Sequence, residues 1–354
     1  MSVVVPALDE AGTLPHLLAD LARQQGIGLE VRVGDGGSRD GTPEIVRGLA
    51  PELPFPVEVI PAPRGRGAQM NRAARGARAA DLLFLHADTR LPDPGLLARA
   101  RQHMDRERAR SGTFRVAGHF PLRFRRSRPG ADLAYYFYEA KTSLGRPDTV
   151  NGDQGIWIRA AYLAELGGFD ESAPYMEDAR LARAVLRSGA WTTLPEVLTT
   201  SARRFEAEGL ARRQALNAIL RGADHVGLPG FFEAAAHAYR EHDRARPLSL
   251  GPFLELVHRC ASRQGPGRLL SLWYAAGGYA ASNAWQIAFL ADCARNRRRG
   301  LPPGQGPARW LERFDRHLSR WVGSPPGRLV LAGLAAGAFY GLLAAGRARA
   351  RFFG

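Results

Sequence analysis

Short apolar segments alternate with segments of helical periodicity over the first 90 residues. Residues 2–6, "SVVVP", have the composition of a buried strand. In the helical segment that follows, the apolar residues Leu14, Leu17, Leu18 and Leu21 fall on one face. Further strands are predicted at residues 29–33, 55–61 and 81–88, with helices that begin near residues 43 and 65. This order predicts an α/β protein with a mostly parallel sheet and helices on both faces.

Three of the predicted strands end in polar residues. Asp9 and Glu10 follow the first strand, residues 35–40 follow the second, and His86 and Asp88 close the fourth. The carboxyl ends of parallel strands share one edge of a sheet, and ligands of such sheets bind there. We therefore expect these residues to line a common binding site.

The Gly-rich segment "VGDGGSRDGT" places Asp35 at a strand end and glycines in the turn after it. Glycine lets a backbone approach a ligand closely, and a carboxylate accepts hydrogen bonds from a ribose or a base. The same residues also suit a tight turn in which Asp40 and Thr42 begin a helix. Both interpretations are open from the sequence alone.

The pair His86 and Asp88 is separated by one residue, so an extended backbone would place both side chains on one side of the strand. A hard divalent cation that bridges a diphosphate needs only one or two protein carboxylates. Asp88 fits that role, with His86 as a second ligand or an orienting group. Asp88 equally suits the cap of a turn.

Glu177 and Asp178 stand at the predicted start of another helix. Acids in a first helical turn complement the helix dipole. A carboxylate at the rim of a pocket can instead deprotonate an incoming hydroxyl group. Spacing does not choose between these two roles.

The order and identity of several segments resemble the family 2 glycosyltransferases of the GT-A fold. These segments are "SVVVPALDEAGTL", "VGDGGSRDGT", "GRGAQMNRAARGA", "FLHADTRLP", "GDQGIWIRAAYLAELGGFDE", "MEDARLARAV" and "TTSARRFEAEG". Within that family the chain is most similar to the bacterial branch labelled glycosyltransferase-like in arsenosugar biosynthesis. The resemblance implies a Rossmann-like GT-A domain over residues 1–220, followed by a helical, basic region over residues 221–354.

The resemblance also implies a reaction. A sugar would pass with inversion from a nucleotide-diphosphate donor to a hydroxyl acceptor, assisted by Mg²⁺ or Mn²⁺. Breaking a sugar–diphosphate bond builds negative charge on the leaving group, which a cation and arginines stabilise. Inversion needs one base opposite the leaving group.

Site residues follow from the same resemblance, position by position. The donor-binding residues that it implies are Pro6, Asp9, Glu10, Asp35, Gly37, Asp40, Arg66, Asn71 and Ala87. The metal ligands would be Asp88 and His86, and the catalytic base would be Asp178 with Glu177 beside it. Residues on the acceptor and diphosphate side would be Gly152, Asp153, Gln154, Arg203 and Arg204. The chain departs from the usual family pattern at Asp9 (commonly Asn), Gly36 (commonly a second acid) and His86 (commonly Asp).

The C-terminal region carries most of the net charge of +15, because residues 251–354 hold 15 arginines against four acids and so contribute +11. Such an excess indicates an anionic partner, either a lipid surface or nucleic acid. Residues 329–346 form an apolar run of 18 residues, about 27 Å as a helix. The segment "ARWLERFDRHLSRWV" has the aromatic and arginine pattern of a helix at a bilayer surface.

These features predict attachment to the cytoplasmic side of the inner membrane, either peripheral or through a single C-terminal anchor. The N-terminus lacks the pattern of a signal peptide, which fits that side. The alternative is that both apolar segments pack as ordinary core helices of a cytoplasmic protein.

Three other functions are open from the sequence. A nucleotidyltransferase would use a similar sheet, and a catalytically impaired relative would only bind nucleotide sugars. A basic nucleic-acid-binding protein would explain the charge, but the first 220 residues lack arginines interleaved with aromatic platforms. We therefore expect a nucleotide sugar and an unidentified acceptor, lipid-linked or hydrophobic, as partners, and no nucleic acid.

Overall fold

The protein is described here by a computed structural model, which covers residues 1–146, 149–172, 175–235 and 248–353. The chain divides into two compact units. The first unit comprises Met1–Arg126 and Tyr138–Ser201, and the second comprises Ser127–Phe137 and Ala202–Gly354. The expected division into residues 1–220 and 221–354 stays a prediction.

Strands occur throughout the first unit. They are β1 (Ser2–Ala7), β2 (Glu30–Asp35), β3 (Val57–Pro61), β4 (Asp81–Phe84), β5 (Val116–His119), β6 (Leu122–Arg125), β7 (Ile156–Arg159), β8 (Ala190–Thr193) and β9 (Leu198–Ser201). Its helices are α1 (Leu14–Ala22), α2 (Thr42–Leu49), α3 (Arg66–Ala74), α4 (Leu96–Ser111), α6 (Ala160–Glu165) and α7 (Glu177–Ser188). Helix α5 (Asp132–Lys141) contains residues of both units, and short 3₁₀ turns occupy Ala50–Glu52 and Gly152–Gln154.

The described part of the first unit forms a seven-stranded sheet in the order β3-β2-β1-β4-β7-β5-β8, with β6 and β9 as a separate pair. Strands β1 to β4 run parallel, β7 runs antiparallel to both β4 and β5, and β8 runs parallel to β5. This arrangement confirms the predicted mostly parallel sheet.

Strand β1 lies at the centre of the core because both of its faces are covered by helices. Val3 and Val5 pack in the cluster that includes the leucines of α1, whereas Val4 packs with Met70 and Ala73 of α3. The leucines predicted to share one helical face are all buried, namely Leu14, Leu17, Leu18 and Leu21. A strand buried on both faces reads as a continuous apolar run, as "VVV" does here.

The fourth strand is shorter than its apolar sequence predicts. It ends at Phe84, and His86 accepts a hydrogen bond through its carbonyl from the Thr89 N–H at 3.1 Å. His86 and Asp88 therefore lie in a turn, so the expectation that an extended backbone aligns their side chains is wrong. Leu85 stays buried beyond the end of the strand, which is why hydropathy does not reveal the boundary.

The second unit is helical in its described part. Its helices are α8 (Arg203–Glu208), α9 (Leu210–His225), α10 (Gly251–Ser262), α11 (Pro266–Asn283), α12 (Trp285–Arg298), α13 (Arg309–Arg313), α14 (Ser319–Gly323) and α15 (Pro325–Phe353). A π-helical turn, Phe314–Leu318, joins α13 to α14. The segment predicted as one amphipathic helix is thus helical throughout, with a π-helical turn at its centre.

Helices α11 and α15 pack closely against each other. The Cα of Gly277 lies so near the backbone of α15 that an added Cβ would overlap the carbonyl of Arg328. Further along the pair, the Trp273 ring lies 5.5 Å from that of Phe339 and 5.6 Å from that of Tyr340, between centroids. Pro325–Ala348 in α15 is long and apolar enough to cross a membrane, with a mean hydropathy of 1.9 and 11% of the window buried.

Candidate active site

The loops after β1 and β2 are joined by direct hydrogen bonds. The Asp9 N–H donates to Ser38 Oγ at 2.9 Å, and Asp9 Oδ1 accepts from the Arg39 N–H at 2.7 Å. The Ala11 N–H donates to Asp40 Oδ2 at 2.9 Å. Asp9 has a φ of 57°, which a short polar side chain with local hydrogen bonds tolerates. The two loops thus form one platform at the carboxyl edge of the sheet.

The two acids of the Gly-rich turn have local partners. Asp35 accepts hydrogen bonds from the Gly37 N–H at 3.0 Å and from the Ser38 hydroxyl at 2.5 Å. Asp40 accepts from the Thr42 N–H at 3.1 Å at the start of α2. Slight burial raises the pKa of Asp40, but hydrogen bonds from Thr42 and the Ala11 N–H lower it more, so the net shift is downward. Asp40 thus stabilises the turn before α2, and donor binding by Asp35 and Asp40 stays a prediction.

Gly36 lies directly against the side chain of Gln69. Gln69 is buried, and its Nε2 donates to the carbonyl of Ala7 at 2.8 Å at the end of β1. A Cβ on Gly36 would overlap this amide group. The side chain of Gln69 thus fills the volume that a residue larger than glycine would need. The sequence reasoning did not identify Gln69, and the departure from the family pattern at Gly36 was the available signal.

The pairing of β4 with β7 brings together the second group of predicted site residues, which follow β4 and precede β7. Phe84 pairs with Ile156, so the residues after β4 lie beside the 3₁₀ turn that precedes β7. A Cβ on Gly152 would lie 3.1 Å from His86 Nε2 and 3.3 Å from Asp178 Oδ2. His86 and Asp178 therefore flank the same glycine, although they are far apart in sequence.

Asp178 and Glu177 have different surroundings at the start of α7. The Gly152 N–H donates to Asp178 Oδ2 at 2.5 Å, and Asp178 is only partly buried. Glu177 is 2% exposed and pairs with Arg66 Nε at 2.8 Å. Burial raises the pKa of Glu177, Arg66 lowers it and Asp178 raises it, so that the net shift is upward. Of the two acids, Asp178 is the more accessible one.

Gln154 and Asn71 hold loops in place. Gln154 is fully buried and its Nε2 donates to the Thr149 carbonyl at 2.7 Å, while its Oε1 is buried without a hydrogen-bond partner among the described residues.

Asn71 accepts from the Phe169 N–H and donates to the Phe169 carbonyl, both at 2.8 Å. It also donates to Glu171 Oε1 at 2.8 Å. Asn71 thereby fixes the "GGFDE" loop that leads towards α7.

The remaining predicted residues occupy three places. Pro6 lies within β1 opposite Gly34 of β2, and Ala87 is buried in the turn after β4. Asp153 lies half-buried in the 3₁₀ turn between Gly152 and Gln154. Arg203 and Arg204 open α8 in the second unit, where Arg204 pairs with Glu208 at 3.0 Å.

A metal at this site would have few protein ligands. Within the described ranges, no group of three or more His, Cys, Asp and Glu side chains could hold a metal ion. Asp88 and His86 supply one carboxylate and one imidazole in the turn after β4. A carboxylate and an imidazole are donors that Mn²⁺ accepts together with diphosphate oxygens and water, and metal binding by Asp88 and His86 stays a prediction.

A family model matches the N-terminal part of the chain. Residues 2–167 match the model described as glycosyl transferase family 2. No curated protein matches the chain significantly. Similar solved structures include the mannosyltransferase PcManGT from Pyrobaculum calidifontis in complex with GDP-Man and Mn2+, at 20% identity and a TM-score of 0.48, over 94% of this chain and 85% of that one. They also include S. aureus TarS 1–349 in complex with UDP-GlcNAc, at 16% identity and a TM-score of 0.46, over 85% of this chain and 92% of that one.

The finer resemblance to the arsenosugar-associated branch stays a prediction. The family match covers strands β1 to β7 of the first unit. The predicted site residues from Pro6 to Gln154 lie within the same range. Residues 2–167 are therefore similar to a glycosyl transferase family 2 domain, the fold is of the GT-A type, and the protein is a glycosyltransferase.

Proposed function

We propose that the protein transfers a sugar, with inversion, from a nucleoside-diphosphate donor to a hydroxyl acceptor that is lipid-linked or hydrophobic. The observation that supports this most is that Asp178 and His86 both lie beside Gly152. A base and a residue of the proposed diphosphate side are then close together at the carboxyl edge of the sheet. In an inverting reaction the acceptor attacks from the face opposite the leaving group, so the sugar carbon would lie between Asp178 and the diphosphate.

The donor is proposed to lie on the platform formed by the loops after β1 and β2. Asp35 and Glu10 are the proposed contacts of the nucleoside, with Pro6, Asp9 and Gly37 shaping the surface beneath it. A divalent cation held by Asp88 and His86 would stabilise the negative charge of the leaving diphosphate. Arg203 and Arg204 are proposed to contribute to the same stabilisation.

Asp178 is the proposed catalytic base. Its carboxylate would accept the proton of the acceptor hydroxyl as the oxygen attacks the sugar carbon. Glu177 is buried and paired with Arg66, so we assign it to positioning the start of α7 rather than to proton transfer. The turn Gly152–Gln154 is proposed to lie on the acceptor side, where the Gly152 N–H orients Asp178.

Membrane attachment is proposed through the second unit. Trp310, Leu318 and Trp321 are 47%, 53% and 56% exposed, and Leu329 and Leu334 of α15 are 65% and 64% exposed. Aromatic and aliphatic side chains together with a net charge of +11 over residues 251–354 suit an anionic bilayer surface. The proposed location is the cytoplasmic side of the inner membrane.

The donor class can be tested by thermal unfolding of the full chain with a panel of nucleotide sugars, with and without Mn²⁺. A matching donor raises the melting temperature, since it binds the folded state. Asp88→Ala should reduce this rise when Mn²⁺ is present, whereas Glu44→Gln on the exposed face of α2 should leave it unchanged. Absence of any rise, together with no release of nucleoside diphosphate, would contradict the proposed function.

A further inference from the structure

The second unit contains a cavity of about 360 Å³ among α9, α10, α11 and α15. All lining residues that the structure describes are Ala, Gly, Val, Leu, Ile, Phe or Trp. The cavity opens to the surface, since Ala218 and Leu342 of its lining are exposed. A volume in the range of ligand sites, roughly 300–1,000 Å³, is therefore more than a packing defect.

Small side chains keep the cavity open. Ala215, Ala218 and Gly222 line it from α9, Ala276 lines it from α11 and Ala335 lines it from α15. Leucines at these positions would fill the space with ordinary core packing. The apolar lining offers water no hydrogen-bond partners, so an apolar occupant that displaces water from the cavity is favoured. Its natural occupant is consequently apolar as well.

The lining also restricts the occupant's chemistry. A ligand with buried hydroxyl, amide or charged groups would leave them without hydrogen bonds, which is costly. A hydrocarbon chain has no such groups and gains free energy with each methylene that leaves water. Its polar end would have to remain outside the cavity.

The surroundings of the cavity indicate where such a chain comes from. Leu342 of α15 lines the cavity and is also 56% exposed, so it lies at the boundary with the surface. On the same helix Leu329 and Leu334 are exposed, and on α11 Leu270 is 72% exposed. These two helices thus carry both the cavity wall and exposed apolar side chains. The net charge of +11 over residues 251–354 complements an anionic head group outside it.

We propose that this cavity binds a single hydrocarbon chain of a lipid. The ligand is either a bilayer lipid or the tail of a hydrophobic acceptor, and the chain is common to both. The cavity lies entirely within the second unit. This proposal therefore depends only on the residues that line the cavity and not on the proposed donor site in the first unit. Loss of chain binding and loss of sugar transfer are separate measurements.

The first test measures displacement of cis-parinaric acid fluorescence from the full chain by lysophosphatidylglycerols, from octyl to hexadecyl, below their micellar concentrations. Affinity should rise by roughly fourfold per methylene, since each buried methylene adds a constant increment. It should level off once the chain fills the cavity. An affinity independent of chain length, or no displacement by any of them, would overturn the proposal.

The second test uses variants that fill the cavity. Ala335→Phe and Ala276→Phe should each weaken chain binding by at least about fifteenfold, which corresponds to the burial of two methylenes. Ala338→Phe is the matched control, because Ala338 lies on α15, is exposed and does not line the cavity. Circular dichroism melts identify a variant that has not folded. If one of the two filling variants does not fold, chain binding by the other tests the proposal. Unchanged binding in folded filling variants would overturn the proposal.

The head group distinguishes the two sources. Tighter binding of lysophosphatidylglycerol than of lysophosphatidylcholine with the same chain supports a bilayer lipid with an anionic head group. Equal binding of a long-chain alcohol supports a hydrophobic acceptor. In both cases the Phe variants must lose binding in parallel for the cavity to be the site.

Discussion

The backbone N–H of Gly152 donates a hydrogen bond to Oδ2 of Asp178. This bond links the turn before β7 to the first turn of α7. In the sequence these two segments are separated by β7, α6 and the loop that follows α6. The other carboxylate oxygen, Oδ1, accepts from the Ala179 N–H at 2.6 Å. Two backbone donors therefore orient the proposed base, and its Oδ2 lies close to the same glycine as His86 Nε2.

Replacing Asp178 by Asn separates the orienting role from proton transfer. An amide oxygen can still accept the Gly152 N–H bond, but the side chain cannot take a proton. We expect turnover to fall by about 10²–10⁴-fold, with the donor-induced rise in melting temperature unchanged. Release of nucleoside diphosphate measures the first quantity, and Glu44→Gln on α2 serves as the control. Turnover at the wild-type level would remove Asp178 from the role of base.

Gly36 and Gln69 should be energetically coupled. Gly36→Ala forces a methyl group onto the buried amide, and overpacking of this kind costs about 1–3 kcal/mol in the free energy of unfolding. Removing the amide in Gln69→Ala frees the space, so the double variant should be more stable than the sum of the two single changes predicts. Urea unfolding of the four proteins measures the coupling.

A matched control for this cycle is Gly12→Ala, since nothing lies within 4 Å of an added Cβ at Gly12. It should change the free energy of unfolding little. If Gly36→Ala behaved like Gly12→Ala, or if the double variant were simply additive, the two side chains would not share the space.

Much of the first unit was predictable because its pattern is local. The leucines of α1 and the apolar run of β1 follow from periodicity and hydropathy alone, and both are buried as expected. The end of β4 was not predictable, since Leu85 continues the buried run after the ladder has stopped at Phe84. Gln69 could not be identified as the neighbour of Gly36 without knowing how α3 lies on β1 and β2.

The segment around Trp310 shows a second limit of sequence reasoning. Periodicity predicts one amphipathic helix with Trp310 and Leu311 on a common apolar face. Residues 309–323 are helical throughout, and the buried carboxylate of Asp292 on α12 accepts from the N–H groups of Trp310 at 3.0 Å and Leu311 at 2.9 Å at the start of this segment. Leu311 is consequently buried and Trp310 is 47% exposed. A helix start held by a residue 18 positions away is a tertiary effect.

Acid should destabilise the first unit through His119. This residue is fully buried, its Nε2 lies 2.9 Å from the Thr142 carbonyl, and its Nδ1 accepts from Trp191 Nε1 at 2.7 Å. Both bonds are satisfied by the neutral ring with its proton on Nε2, and a second proton on Nδ1 would oppose the Trp191 N–H. Burial lowers the pKa of His119 from 6.5 to about 4, against a smaller raising effect of the Thr142 carbonyl.

The folded state therefore binds this proton less tightly than the unfolded state. The stability that depends on neutral His119 is fully present above pH 6.5 and is lost as the pH falls from 6.5 towards 4. The total loss from this group is about 3 kcal/mol at 1.36 kcal/mol per pKa unit. Urea midpoints between pH 5 and pH 7 should show this slope in the wild type and in the control His16→Gln, whose histidine is exposed. His119→Gln should be less stable at neutral pH but should lose the slope, and an unchanged slope would contradict the assignment.

Adjacent glycines in α11 provide a test of how α15 is held. An added Cβ on Gly277 would overlap the Arg328 carbonyl and lie 2.9 Å from the Cβ of Ala332, whereas nothing lies within 4 Å of one on Gly278. Gly277→Ala should therefore lower the stability of the second unit by about 1–3 kcal/mol. Gly278→Ala should be neutral or stabilising by up to about 1 kcal/mol, because alanine favours a helix interior over glycine. Thermal melts of both variants in the same detergent, followed by tryptophan fluorescence, measure the difference. If α15 left α11 to cross a bilayer by itself, the two substitutions would have similar effects, since the contact between Gly277 and Arg328 would not exist in the membrane-bound protein.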